Sequence, residues 1–263
     1  MDTLQLAVAT SGLGGSLRDS IAVAAQSGAG GVQFDLRSEV TADQFGETAS
    51  LQLRHLLGEY SLQIASTTFP LRRPLYDPLE IDGRVHVVKE AIRLCARLKC
   101  RILTLRVGRI PDREDLENRA RLQGALGDIA RLGMKEGVTP AITTSGDAVS
   151  ELLSLLEEVK DGPVGIDLDP AGCISGQLSP IAVLKSLHNS VQHIQARDAV
   201  RDLEAGSTEV ALGRGETPWD ELLATLADMR YGGWVTVRRT TGEQRRQDVL
   251  NAVRYLRTVA AGG

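Results

Sequence analysis

Cysteine, histidine and positive charge are scarce in this chain, and each scarcity excludes something. The 263 residues include three cysteines, Cys95, Cys100 and Cys173, an odd number without metal-ligand spacing. A disulfide framework and a zinc knuckle are therefore excluded in favour of buried, reduced thiols. Lys and Arg total 30 against 34 Asp and Glu, a formal net charge of −4, with a pI near 5.7. A general nucleic-acid binder needs a basic stripe, which this balance does not supply, although it leaves room for a local cationic pocket. No apolar run approaches the ~18 residues of a membrane span. The opening MDTLQLAVATSG, with its acidic second residue and short apolar run, reads as a first strand and not as a signal peptide. A cytoplasmic protein with neither membrane nor nucleic acid as partner is expected. The glycines of TSGLGGS, residues 10–16, are wrongly spaced for the dinucleotide fingerprint GxGxxG. Of the four histidines, His55, His86 and His188 fall on expected helices or their ends, where packing or surface roles suffice. No Ser-His-Asp or Cys-His constellation stands out.

What is present is a regular alternation. Hydrophobic residues make up 42% and charged residues 24% of the chain, enough for a large core. Short apolar runs at 4–9, 31–36, 61–66, 101–107, 138–143, 164–169, 191–197 and 234–238 read as strands. Longer amphipathic stretches at 16–27, 41–57, 79–98, 113–135, 147–160, 180–187, 219–229 and 244–259 read as helices. Ser16 is placed to cap the first helix and Gly28 to stop it. Residues 198–216 read as a long loop. Repeated strand–helix units require parallel pairing with the helices outside. About eight of them, over a length near 250 residues, predict one α/β domain spanning 1–263, a closed (β/α)8 TIM barrel. An open doubly wound sheet is the rival, and the missing glycine fingerprint weighs against it.

Alternate residues of a strand share a face. In SVQHIQARD, residues 190–198, this aligns His193, Gln195 and Arg197 on one side of an otherwise apolar strand. Other strands end in comparable groups: Gln33, Asp35 and Arg37; Arg106; Thr143 and Thr144; Asp167 and Asp169; Thr236 and Arg238. In a barrel, functional side chains gather at the C-terminal strand ends. Asp169, Gln195 and Arg238 are thus expected at a site, whereas His193 and Asp167, lower on their strands, fit a structural layer as well as a functional one.

GGVQFDLR, LLGEYSLQIAS, VGIDLDPAG, HIQARD, LGRGETPWDELLATL and the closing YGGWVTVRRTTGEQRRQDVLNAVRYLR together resemble the xylose-isomerase-like barrels, a family of sugar isomerases and epimerases that share their fold with apurinic endonucleases. The resemblance runs through nearly the whole chain. It implies a role in carbohydrate metabolism and a divalent metal held by Glu, Asp, His and Glu at the ends of barrel strands five to eight. In such enzymes the ion polarises a carbonyl and a carboxylate moves the proton. Carried over position by position, the ligand set departs from that pattern. Thr143 stands for the first Glu, Gly172 for a nearby His or Asn, Gln195 for the His and Arg238 for the last Glu, and only Asp169 is kept. An amide oxygen is a poor ligand for transition metals, and a guanidinium repels a cation outright.

The leading expectation is a divergent family member with a degenerate metal site and no cofactor. Arg37, Arg106, Thr143, Gln195, Arg197 and Arg238 would hold a small anionic, sugar-like ligand, with Asp169 and His193 as candidate catalytic groups. Arg238 is expected to pair with Asp169, with Gln195 bridging them. A second reading is a conventional sugar isomerase or epimerase with Mg²⁺ or Mn²⁺ on Asp35, Asp167, Asp169 and His193. A third is a non-catalytic scaffold. A homodimer through the outer helices is in keeping with the fold.

Overall fold

The computed structural model describes residues 4–202 and 206–262. Eight parallel strands close into a barrel: β1 (Gln5–Ala9), β2 (Gly31–Asp35), β3 (Gln63–Thr68), β4 (Ile102–Leu105), β5 (Thr139–Thr143), β6 (Gly165–Leu168), β7 (Val191–Ala196) and β10 (Trp234–Val237), which occupies the eighth barrel position. Each pairs in register with its chain neighbour, and β10 closes the ring between β7 and β1, with Thr236 beside Gln195 and Ala7. The expected TIM barrel is therefore the fold. The surrounding helices are α1 (Leu17–Ser27), α2 (Glu47–Glu59), α3 (Ile81–Arg97), α4 (Leu116–Glu136), α5 (Val149–Glu158), α6 (Pro170–Ser175), α7 (Pro180–Leu187), α8 (Trp219–Asp228) and α9 (Arg245–Gly262). Among the described residues, no helix is long and apolar enough to cross a membrane.

Local signals explain the boundaries. Ser16 Oγ accepts from the Asp19 amide while Asp19 Oδ2 accepts from the Ser16 amide, a closed capping box at the start of α1. Gly28, at φ 80°, ends the helix in the left-handed region. Along β2, Val32 and Phe34 are fully buried on the side facing the helices, while Gln33 points into the barrel, where its amide reaches Ser66 of β3. One expected helix was too long: 41–46 folds as turns onto Thr41, and α2 begins only after Gly46.

Two elements escaped the sequence reading. The short helix α6 follows Asp169 directly. The expected loop after β7 contains an antiparallel pair, β8 (Asp198–Asp202) with β9 (Gly206–Val210), whose connecting residues 203–205 lie outside the described residues. Asp198 fastens this hairpin. Its carboxylate, almost completely buried, accepts the backbone N–H groups of Ala199, Gly213, Gly215 and Thr217 at 2.9–3.1 Å. A Cβ on Gly215 would stand 2.1 Å from Asp198 Oδ1, so the chain can wrap the carboxylate only with glycine there. Asp198→Ala should strip these donors of their acceptor and cost about 3 kcal/mol. Urea denaturation checks this, and a loss below about 1 kcal/mol would show that water replaces the carboxylate freely.

Candidate functional site

Two polar layers occupy the barrel axis. The lower one is a continuous hydrogen-bond network in which, among the described residues, only the amide oxygens of Gln33 and Gln195 lack a partner. Asp167 Oδ1 pairs with His193 Nδ1 at 2.7 Å, and Asp167 Oδ2 accepts from Thr143 Oγ1 at 2.6 Å and Gln195 Nε2 at 2.5 Å. His193 Nε2 meets Thr236 Oγ1 at 2.7 Å and Ser66 Oγ at 2.9 Å, and Ser66 accepts from Gln33 Nε2 at 2.8 Å. The side chains of Asp167 and His193 are 0% exposed. Burial alone would raise the Asp167 carboxyl. The charge and hydrogen bond of His193, with the donors Thr143 and Gln195, outweigh burial and hold it below the ordinary carboxylate value.

The upper layer lies at the C-terminal mouth and is built on Asp169. Its side chain is 0% exposed, yet Oδ2 accepts from Arg197 Nη1 at 2.6 Å and from Arg106 Nη2 at 2.9 Å. Its backbone N–H donates to Thr144 Oγ1 at 2.8 Å, fixing the end of β6. Oδ1 has no partner among the described residues. Arg238 enters the same layer from β10, and its guanidinium makes no hydrogen bond or ion pair with any described residue. Its Nε is a buried donor without an acceptor. Burial lowers the Arg238 pKa from the ordinary arginine value, the charges of Arg197 and Arg106 lower it further, and Asp169 and Asp167 only partly compensate. Arg197 responds the other way. Burial opposes its charge, but Asp169 and Glu209 outweigh it and raise the pKa.

The structure thus brings Asp169, Arg106, Arg197 and Arg238 together. Thr143, Gln195 and His193 form the layer beneath. Arg37 stands apart, exposed, with its guanidinium 5.7 Å over the Phe69 ring and donating to the Pro70 carbonyl. The expected pairing of Arg238 with Asp169 is corrected, because Arg106 and Arg197 occupy that carboxylate. The expected Gln195 bridge is corrected too: Gln195 sits opposite Thr236, one layer below Arg238, so its amide reaches Asp167 instead. Asp198, two residues beyond the end of β7, spends its carboxylate on the backbone amides of 199, 213, 215 and 217 and does not join the mouth.

Two acids at the mouth were missed. Glu209 of β9 is buried, accepts from the Thr240 backbone N–H at 2.9 Å, and lies 3.8 Å from Arg197 and 3.6 Å from Arg239. It was hidden in a segment read as loop, where the strand-like alternation of 207–210 was the available signal. Glu39, after β2, accepts from Thr10 Oγ1 at 2.8 Å and the Asp35 amide at 3.0 Å. Burial raises its pKa, those two donors lower it, the Asp35 charge raises it again and Arg238 lowers it. Among the described residues, no three His, Cys, Asp or Glu side chains are grouped as a metal site would need.

A closed eight-stranded parallel barrel with helices outside and charged groups gathered at its C-terminal mouth defines the (β/α)8 class. The chain belongs to the xylose isomerase-like TIM barrel family, whose model matches residues 21–259. It is similar in structure to a xylose isomerase domain protein from Planctomyces limnophilus, at 21% identity and TM-score 0.88 over 99% of this chain and 98% of that one. It is also similar to a probable 3-DHS dehydratase of petrobactin synthesis from Bacillus anthracis, at 16% identity and TM-score 0.79 over 96% and 98%. A D-psicose 3-epimerase from Clostridium cellulolyticum H10 is similar at 12% identity and TM-score 0.79 over 98% and 99%. At these identities the likeness establishes the fold. No curated protein matches the sequence.

The Asp167 shift has a pH consequence. A carboxyl held below its unfolded value stabilises the fold fully above the ordinary aspartate range and loses that contribution as pH falls through it. The melting temperature should therefore drop between about pH 5 and pH 3. Asp167→Asn should be about 3 kcal/mol less stable at pH 7 and lose less on acidification, as followed by circular dichroism. Equal slopes for the two proteins would place the acid sensitivity elsewhere.

Proposed function

We propose that this barrel is a metal-independent relative of the sugar isomerases and epimerases that binds a small, anionic, sugar-like ligand at its C-terminal mouth. The observation that carries this reading is the state of Asp169 and Arg238. The retained family carboxylate already accepts two guanidiniums on one oxygen, and a third arginine stands beside it without an anion. A divalent ion at that place would have to displace Arg106 and Arg197 and tolerate the charge of Arg238. Thr143 and Gln195 spend their donors on Asp167. The donor set does not suit the family's metal, and it does suit a carboxylate or phosphate, which a guanidinium fork binds in two-point fashion.

In this reading the ligand's anionic group sits on Arg238, with Arg197 contributing its free edge. A ligand hydroxyl donates to the unpartnered Asp169 Oδ1. Asp169 serves as an acceptor that orients the polyol, held in place by its two arginines. The Asp167–His193 pair lies beneath and supports the layer above through Gln195 and Thr236, so any proton transfer falls to Asp169 Oδ1 or to groups the ligand brings.

Arg238→Met tests the anion site. Removing a half-buried cation that makes no ion pair with a described residue should leave the apo protein as stable or raise its stability by about 1 kcal/mol. The same variant should lose the thermal stabilisation that D-gluconate and D-ribose 5-phosphate give the wild type, read by differential scanning fluorimetry. Retained stabilisation in the variant would remove Arg238 from the site.

Metal content tests the other half. After dialysis against Mn²⁺, elemental analysis of the wild type should find far less than one ion per chain, and the triple variant Thr143→Glu, Gln195→His, Arg238→Glu should gain Mn²⁺. Near-stoichiometric metal in the wild type would restore the conventional isomerase reading, with ligands drawn from around Asp169.

A further inference from the structure

A cavity of about 840 Å³ opens at the other end of the barrel, among the N-terminal residues of β3, β4, β7 and β10. That volume lies within the ~300–1,000 Å³ of small-molecule sites. Its rim carries Lys99, Arg101, Arg230 and His188, and among the described residues no Asp or Glu lines it. This is unexpected in a chain whose acids outnumber its Lys and Arg by 34 to 30. None of Lys99, Arg101 and Arg230 forms a hydrogen bond or ion pair through its side chain with a described residue, although arginines elsewhere on this surface, such as Arg131 and Arg121, are paired.

The backbone adds an independent observation. Lys99 follows the end of α3 at φ 60°, and Arg230 follows the end of α8 at φ 52°. Left-handed positions after helices are where glycine costs least, as Gly28 and Gly137 show in this same chain. At the two positions on this rim the chain instead carries long cations in a conformation that disfavours them. One wall of the cavity is Trp234, half-buried, with Tyr231 beside it donating to the Trp234 carbonyl.

We infer that the N-terminal face holds a second binding site, distinct from the mouth, for a nucleoside diphosphate or triphosphate. Lys99, Arg101 and Arg230 take the phosphates, and the apolar wall with Trp234 takes the base. Three cations without counter-charges match a polyphosphate better than a single carboxylate. The site lies on the face that barrels do not use for catalysis, so its occupant would act as an effector or a stabilising ligand and not as the substrate of the mouth.

The test is calorimetric titration of ADP into the wild type, Lys99→Glu/Arg230→Glu and Arg238→Met. ADP should bind the wild type, quench the Trp234 fluorescence and weaken with salt, while adenosine should not bind. The double variant should bind about a hundredfold more weakly, and Arg238→Met should bind as the wild type does. A second variant, Lys99→Gly/Arg230→Gly, separates binding from folding, because it relieves both left-handed residues and should melt at a higher temperature while still losing ADP. The inference is overturned if ADP fails to bind the wild type at millimolar concentration, if adenosine binds equally well, or if either double variant retains full affinity. It is equally overturned if Arg238→Met is the variant that loses ADP, since the anion then belongs to the mouth.

Discussion

The mouth of this barrel is organised by one buried carboxylate. Asp169 is inaccessible to solvent, a burial made tolerable by Arg197 and Arg106 converging on its Oδ2. Those two arginines come from β7 and β4, so a single acid on β6 ties together three strand ends. The arrangement also sets the electrostatics of everything above it. With its charge shared between two guanidiniums, Asp169 cannot neutralise Arg238, and a positive excess remains at the opening. Glu209 reaches in from the hairpin and offsets part of it through Arg197 and Arg239, which makes β9 part of the mouth's charge balance.

The layer beneath acts by different means. Asp167, His193, Thr143, Gln195, Ser66, Gln33 and Thr236 hydrogen-bond with one another around the axis, drawn from six strands of the barrel. Such a network is stable only when nearly complete, because a partly satisfied polar core costs more than an apolar one. It holds the inward faces of β6, β7 and β10 in register, and those strands carry Asp169, Arg197 and Arg238. The precision of the upper layer therefore rests on the lower one.

Much of this was legible in residue order. Alternation along the strands identified the inward set: Gln33 and Asp35, Asp167 and Asp169, His193 and Gln195 and Arg197, Thr236 and Arg238. Ser16 and Gly28 marked the first helix by cap chemistry alone. The family resemblance was readable because its motifs fall at strand ends in the right order. The hairpin was not read, since its local signal is confined to 207–210 and the segment that follows it is anchored by Asp198 accepting amides of 213, 215 and 217, a contact between residues far apart in the chain. The helix α6 is too short for an amphipathic pattern to emerge.

The sequence by itself determined which side chains face the barrel axis, because a period of two is a property of the extended chain and needs no partner. Only the tertiary structure decided who pairs with whom. Strand stagger lifts Arg238 one layer above Gln195, so the amide turns to Asp167, and Arg106 arrives from two strands away to claim the place beside Asp169 that Arg238 was expected to fill. Charge pairing inside a barrel depends on register between strands far apart in the chain, and a linear sequence does not contain that distance.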